Sequence, residues 1–226
     1  MGRNILIVES NNDKYFFQSV IKHLNYDIEV EVPIFNEDYR PMEGLDSKKL
    51  INALKELKAE IQKEDIERIG IIIDIDRSSE TERIEFINGC VVKAFPNAES
   101  LDRVNQFIEL NFEDYRLQLA CYFTNVDGQG ELETVLKVIK SQNSTYADCL
   151  DNWRQCLVDN DRQITDKVFD KLWVANYIRH DTSTIDDKKH ASTNLTLNYA
   201  LQHKPTIWNL DHPILHSLKL FFKSFN

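Results

Sequence analysis

The sequence predicts an α/β fold, with a parallel sheet flanked by helices and a helical carboxyl-terminal layer. Short apolar runs rich in β-branched residues, at residues 5–8 and 69–73, are typical of strands buried on both faces. Strand and helix patterns alternate as far as residue 140, the order expected of a parallel sheet with crossover helices. We therefore predict an α/β core over residues 1–140 and a helical extension over residues 141–226 that packs on it.

Each element of the core follows from the spacing of its apolar residues and from the turn-forming residues beside it. Alternation with period two indicates a strand, and apolar residues three to four apart indicate an amphipathic helix. In order, the predicted elements are a strand at 5–8, a helix capped by residues 10–13, a strand at 28–32 ended by Pro33, a loop at 36–46, a helix from Ser47 to Ile61, a strand at 69–73, a short helix at 81–88, a strand at 91–95, a helix favoured over 101–112, a strand at 117–123 and a helix at 131–139.

The carboxyl-terminal third has a different character, because helical spacing replaces the alternation of strand and helix. Helical spacing is present at residues 146–158, 164–178 and 214–221, and a polar stretch at 181–193 interrupts it. The residues predicted to enter the core here are Trp153, Leu157, Phe169, Leu172 and Trp173.

Composition and charge restrict the classes of function. The formal net charge of -10, from 37 acidic and 27 basic residues, argues against wrapping nucleic acid by bulk attraction. A local basic strip, or nucleic acid held through metal ions, stays open. The four cysteines form no CxxC pair, so we expect buried or partly buried free thiols in a reducing compartment. No signal peptide or membrane-length apolar segment is evident, so we predict a cytoplasmic protein without a membrane partner.

Acidic residues follow three of the predicted strands. Glu9 follows the first strand, Asp74 and Asp76 follow residues 69–73, and Asp127 with Glu131 follows residues 117–123. Ligands of open parallel sheets bind beyond the carboxyl ends of the strands, and crowded carboxylates repel one another unless a cation such as Mg²⁺ joins them. The alternative is that these residues cap helices and form turns, as acidic residues at strand ends often do.

Two segments resemble motifs of the TOPRIM family. Residues 5–13, ILIVESNND, resemble its opening motif, an apolar strand that ends in a glutamate, and residues 74–80, DIDRSSE, match its DxDxxxE motif. Residues 125–133, NVDGQGELE, resemble small single-domain TOPRIM-like proteins of unknown function, related to the OLD-type nucleases. The resemblance covers residues 4–140 and implies a TOPRIM/Rossmann-like fold with Mg²⁺-dependent phosphodiester or nucleotide chemistry, nuclease activity being its plainest version.

The resemblance implies a role for each motif residue. Asp74 and Asp76 would hold Mg²⁺, or Mn²⁺ in its place, and Glu9 would act as general base or acid or complete the metal shell. Asp127, with Glu131, would hold a second ion. Arg77 would contact a phosphate oxygen or pair with a nearby glutamate. The last motif residue, Glu80, would be a further ligand or face solvent.

One departure from the motifs favours a different class of function. Ser10 stands where the family commonly has glycine, so close approach of a phosphate to the backbone is less assured. The alternative is a non-catalytic module that binds nucleic acid, a nucleotide or a protein, with a vestigial site. A purely structural partner in a defence or repair complex is a third reading, and a homo-oligomer is left open.

Overall fold

A five-stranded sheet forms the centre of the part of the chain that the structure describes. The structure, a computed structural model, describes residues 2–32, 46–61, 63–190 and 195–225. The strands are β1 (Arg3–Val8), β2 (Glu29–Glu31), β3 (Ile66–Asp74), β4 (Ile108–Phe112) and β5 (Tyr115–Thr124). Their order is β2-β1-β3-β5-β4, and every neighbouring pair is parallel except β4 with β5. The predicted α/β class is therefore confirmed, with one antiparallel strand at an edge.

Helices lie on both faces of this sheet. Alternate residues of β1 and β3 enter two different hydrophobic clusters, as the period of a strand requires: Leu6 and Ile72 enter one, Ile5 and Ile71 the other. Both strands are therefore buried on both faces. The helices are α1 (Asn11–Leu24), α2 (Ser47–Glu60), α3 (Glu80–Ala94), α4 (Leu132–Val138), α5 (Thr145–Asp159), α6 (Asp166–Asn176), α7 (Ile185–His190), α8 (Leu197–His203) and α9 (His216–Lys223).

Two helices cover one face, and the remaining core-forming helices cover the other. Leu50, Leu54 and Leu57 of α2 pack with Ile87 and Val91 of α3 in the cluster that holds Ile5. The opposite cluster takes apolar residues from α1 and α4 and from the helices that follow residue 140.

The last helix packs directly on the sheet. Tyr122 of β5 stacks on Phe221 of α9, with ring centroids 5.7 Å apart. Gly70 of β3 permits this approach, because a Cβ there would overlap the Leu6 side chain and lie 2.8 Å from Phe225 Cζ. Residues beyond 140 thus share one hydrophobic cluster with β1, β3 and β5.

Two predicted elements of the core are wrong. Residues 91–95, predicted as a strand, belong mostly to α3, which begins at a capping box of Ser79 and Glu82 and continues to Ala94. The predicted short helix at 81–88 is therefore only the first part of a longer one. Residues 101–112, where a helix was favoured, contain β4 instead, because its backbone pairs with β5.

Several predictions for the remaining chain also change. Trp153 and Leu172 are 40% and 37% exposed, so they are not core residues, whereas Phe169 and Trp173 are buried. The polar stretch at 181–193 contains α7, and a π-helical turn (Tyr177–Asp181) continues the chain after α6. Cys149 and Cys156 are exposed, contrary to expectation, whereas Cys90 and Cys121 are buried, and all four are free thiols. The loop predicted at 36–46 lies outside the described residues, apart from Asp46, which caps α2.

None of the helices that the structure describes combines the length and apolar character needed to cross a membrane. Between α8 and α9 the chain forms two short 3₁₀ turns, Pro205–Ile207 and Pro213–Leu215.

Candidate functional site

The carboxyl ends of β1, β3 and β5 meet at one edge of the sheet, since these strands are parallel neighbours. Glu9 lies directly after β1, and its Oε1 accepts a hydrogen bond from the Asp74 backbone N–H at 3.1 Å. The structure therefore brings Glu9 and Asp74 together, as the strand order leads one to expect.

The turn after β3 is joined to the turn after β5. The backbones of Asp76 and Gly130 exchange two hydrogen bonds, of 2.9 and 3.0 Å. Asp76 adopts a left-handed conformation, with φ of 53°, which aspartate tolerates better than most residues. This pairing brings Glu131, the next residue along, to the same edge as Asp74 and Asp76.

Two further carboxylates belong to this edge and were missed in the sequence. Asp13 lies in the first turn of α1 and is 5% exposed; its Oδ2 accepts a hydrogen bond from Ser10 Oγ at 2.5 Å. Glu133 lies in the first turn of α4. Each of them lies within about one helical turn of an acidic residue that follows a strand. Residues 10–13 were interpreted as helix-capping residues, so Asp13 was not predicted to belong to the site. Ser10, which replaces the usual glycine, serves here as the cap of α1.

Burial and mutual repulsion raise the pKa values of the carboxyl groups at this edge. Burial, followed by the charge of Asp13, raises the pKa of Glu9 to about 7. Burial raises the pKa of Asp13 to about 6, and burial with repulsion from Glu131 raises that of Glu133 to about 7. The pKa of Asp74 is raised well above its ordinary value by burial and by the charges of Asp13 and Glu9. Without a cation, ionisation of these groups is less favourable than it is in water.

Two oxygen atoms of this cluster are enclosed and unpaired. Asp74 is partly exposed as a residue, but its Oδ1 is buried and accepts no hydrogen bond from the described residues. Glu131 is 3% exposed, and its Oε1 is likewise buried and accepts no hydrogen bond from the described residues. Leaving a buried acceptor unsatisfied is costly, and a bound cation or ordered water relieves that cost. Oxygen donors of this kind suit Mg²⁺.

The side chains are not arranged around a metal ion as they stand. Across residues 2–32, 46–61, 63–190 and 195–225, no group of three His, Cys, Asp or Glu residues has a geometry that could hold one. The donors are oxygen atoms of the kind that Mg²⁺ prefers, but their present geometry would have to change before an ion could bind.

Basic side chains neutralise one part of the cluster. Asp76 Oδ2 lies 2.8 Å from Arg83 Nη2, and Asp76 Oδ1 lies 3.0 Å from Lys167 Nζ. The same ammonium lies 2.8 Å from Glu131 Oε2, and Lys171 Nζ lies 3.8 Å from that oxygen. Burial opposes the charge of Lys167, but hydrogen bonds with Glu131 and Asp76 outweigh it and raise its pKa. Arg83 and Lys167 were not predicted as site residues, and Lys167 is 91 residues from Asp76 along the chain.

Three residues from the motifs lie outside this cluster. Arg77 and Glu80 are exposed, in the turn after β3 and at the start of α3. Asp127 is exposed at the tip of a tight turn, where it and Gly128 both have positive φ, 52° and 82°. None of the three is among the main charges that act on Glu9 or Asp74. Their positions match those of turn and cap residues.

A separate cavity of about 1080 Å³ lies away from the acidic edge. It is an open groove between α1, α8 and the segment that follows α8, and residues such as Tyr15, Lys22, His203 and Trp208 line it. None of the clustered carboxylates lines it.

Comparisons with known proteins place the chain in a family. Among curated proteins, no sequence matches. A solved structure, the hypothetical protein PH0156 from Pyrococcus horikoshii OT3, is similar with a TM-score of 0.50 and 14% sequence identity, over 100% of this chain and 94% of that one. At this identity the likeness supports the fold alone. Residues 3–226 match the family described as "Protein of unknown function (DUF3226)", so the chain belongs to the DUF3226 family.

Proposed function

We propose that this protein binds Mg²⁺ at the acidic edge of its sheet and acts on phosphodiesters or nucleotides as a nuclease-like enzyme. The observation that carries the proposal is the enclosed, unpaired Oδ1 of Asp74, next to Glu9 and within the field of Asp13, Glu131 and Glu133. A dication would relieve both the unsatisfied oxygen and the repulsion. The resemblance of DIDRSSE to the TOPRIM motif agrees with this placement.

Each residue has a distinct part in this proposal. Asp74, with Glu9 and Asp13, would hold the ion, which would supply stabilisation of the charge that develops on a reacting phosphate. Glu9 accepts the Asp74 N–H beside the proposed ion, so it would either complete the metal shell or act as general acid or base. Arg77 is exposed in the turn beside the cluster, where a phosphate of the substrate could contact it. The substrate would be nucleic acid or a nucleotide in the cytoplasm.

The test is cleavage of single- and double-stranded nucleic acids in Mg²⁺ or Mn²⁺. We expect wild-type protein to cleave at least one of them. The rate of cleavage by Asp74→Asn should be lower by about a hundredfold or more, since removing one group that stabilises the transition state commonly costs that much. Asp127→Asn is the matched control, because it makes the same chemical change on an exposed turn. Equal cleavage by wild type and Asp74→Asn would exclude the proposed role of the site.

One observation favours the alternative, a non-catalytic binding module. Arg83 and Lys167 already pair with both oxygens of Asp76, so part of the site is neutral without a metal. Calorimetric titration with Mg²⁺ and with nucleotides separates the two proposals. Binding of a ligand without turnover of any substrate would favour the module, and turnover that depends on Asp74 would favour the enzyme.

A further inference from the structure

The ammonium of Lys167 lies between carboxylates from two different turns. It is 3.0 Å from Asp76 Oδ1, after β3, and 2.8 Å from Glu131 Oε2, at the start of α4. Lys167 belongs to the first turn of α6, in the helical carboxyl-terminal part. A side chain from a distant segment therefore joins the two turns in the way that a bridging cation would.

The remaining carboxylates of the edge have no such partner. Among the described residues, no lysine or arginine lies within ion-pair distance of these four carboxylates, Glu9, Asp13, Asp74 and Glu133, although the charges of Arg83 and Lys171 act at longer range on Glu9 and Glu133. The edge thus has a part in which Arg83 and Lys167 pair with Asp76 and Glu131, and a part without ion pairs. The buried and unpaired Asp74 Oδ1 belongs to the part without ion pairs, whereas the other such oxygen, Glu131 Oε1, belongs to a carboxylate whose second oxygen pairs with Lys167.

We propose that Lys167 takes the place of a second metal ion, so that the site holds a single dication on Glu9, Asp13 and Asp74 and not on Asp76. This inference rests on the proposed metal binding and adds the number of ions and their ligands. A second dication at Asp76 and Glu131 would have to share their oxygens with an ammonium about 3 Å away, and repulsion between the two cations opposes that. Asp76 then serves to anchor α6 to the sheet edge.

The first test counts ions and ligands by calorimetric titration of the full chain with Mn²⁺. We expect one ion per wild-type chain. Asp76→Asn, which the left-handed backbone tolerates, should leave the affinity within about threefold of wild type. Asp74→Asn should weaken binding by thirtyfold or more. Loss of binding in Asp76→Asn comparable to that in Asp74→Asn would overturn the inference, as would two ions in wild type.

The second test removes the lysine. Lys167→Met keeps the length of the side chain without its charge, and we expect it to bind a second Mn²⁺ ion. Adding Asp76→Asn to this variant should return the number of bound Mn²⁺ ions to one per chain. Lys171→Met is the matched control, because Lys171 is one turn further along α6 and lies 3.8 Å from Glu131 Oε2; it should bind one ion. One unchanged ion in a folded Lys167→Met would overturn the inference.

The outcomes distinguish this inference from the proposed function. If wild type binds no Mn²⁺, the metal site itself is refuted and both proposals fall together. If wild type binds one ion that depends on Asp76, only the inference about Lys167 fails. Should Lys167→Met not fold, the comparison of Asp76→Asn with Asp74→Asn still decides the question, since neither variant removes the lysine.

Discussion

Neutralising Glu9 should stabilise the metal-free protein at alkaline pH. Glu9 accepts the Asp74 backbone N–H at 3.1 Å through Oε1. Glutamine retains an oxygen at that position, so Glu9→Gln removes the charge and preserves the hydrogen bond. The substitution therefore isolates the free energy of holding a carboxylate at this buried edge.

The magnitude follows from the pKa of Glu9, which burial and the charge of Asp13 raise from 4.5 to about 7. A raised carboxyl pKa means that the folded chain binds the proton more tightly than the unfolded chain. The resulting stability is present below about pH 4.5 and is lost as the pH rises through 7. A difference of about 2.5 pH units, at about 1.4 kcal/mol each, corresponds to about 3 kcal/mol. We therefore expect a gain of about 3 kcal/mol for Glu9→Gln at pH 8, part of it from relief of the repulsion between Glu9 and Asp13, and almost none at pH 4.

Urea unfolding in the presence of EDTA measures this difference. Wild type, Glu9→Gln and Asp127→Asn are compared at pH 4, 6 and 8. The last variant is the control, and its exposed position predicts a change within about 0.5 kcal/mol at every pH. A Glu9→Gln protein that is less stable than wild type at pH 8 would refute the reasoning, because the carboxylate would then be stabilising the fold.

Three other predictions concern packing, capping and the ion. Gly70→Ala should destabilise the fold by about 2 kcal/mol in urea unfolding, because its Cβ would overlap Leu6 and approach Phe225; an unchanged midpoint would mean that this face is loosely packed. Ser79→Ala should cost about 1 kcal/mol in thermal unfolding, because Ser79 and Glu82 form the capping box of α3, and an unchanged melting temperature would contradict the assignment. Mg²⁺ at one hundred times its Kd should stabilise the protein by about 2.7 kcal/mol at pH 8. The effect should shrink at pH 5, where protonated carboxyl groups compete, and an equal gain at both pH values would argue against binding at this edge.

The segments whose burial is strongest were predicted well from the sequence. Residues 5–8 and 69–73 are apolar on both faces, and such runs are stable only inside a sheet covered by helices. Because parallel strands end at one edge, Glu9 and Asp74 could be assigned to that edge, and the pairing of β1 with β3 then brings them together. The predictions for residues 91–95 and 101–112 were wrong because their apolar runs are too short to distinguish a helix from a strand. A short apolar run fits a helix or a strand, and pairing with β5 or continuation of α3 decides between them.

The composition of the site depended on the tertiary structure. Nothing near residues 74–76 in the sequence indicates that Lys167 reaches Asp76, because the contact depends on how α6 packs against the turns. Burial, which separates Asp13 and Glu131 from the exposed Asp127, is likewise a property of the assembled edge. The sequence by itself determined that acidic residues follow strands of a parallel sheet, and the fold showed that these strands are neighbours. Only the fold decided which of them are enclosed, since enclosure and charge pairing arise from segments that are distant along the chain.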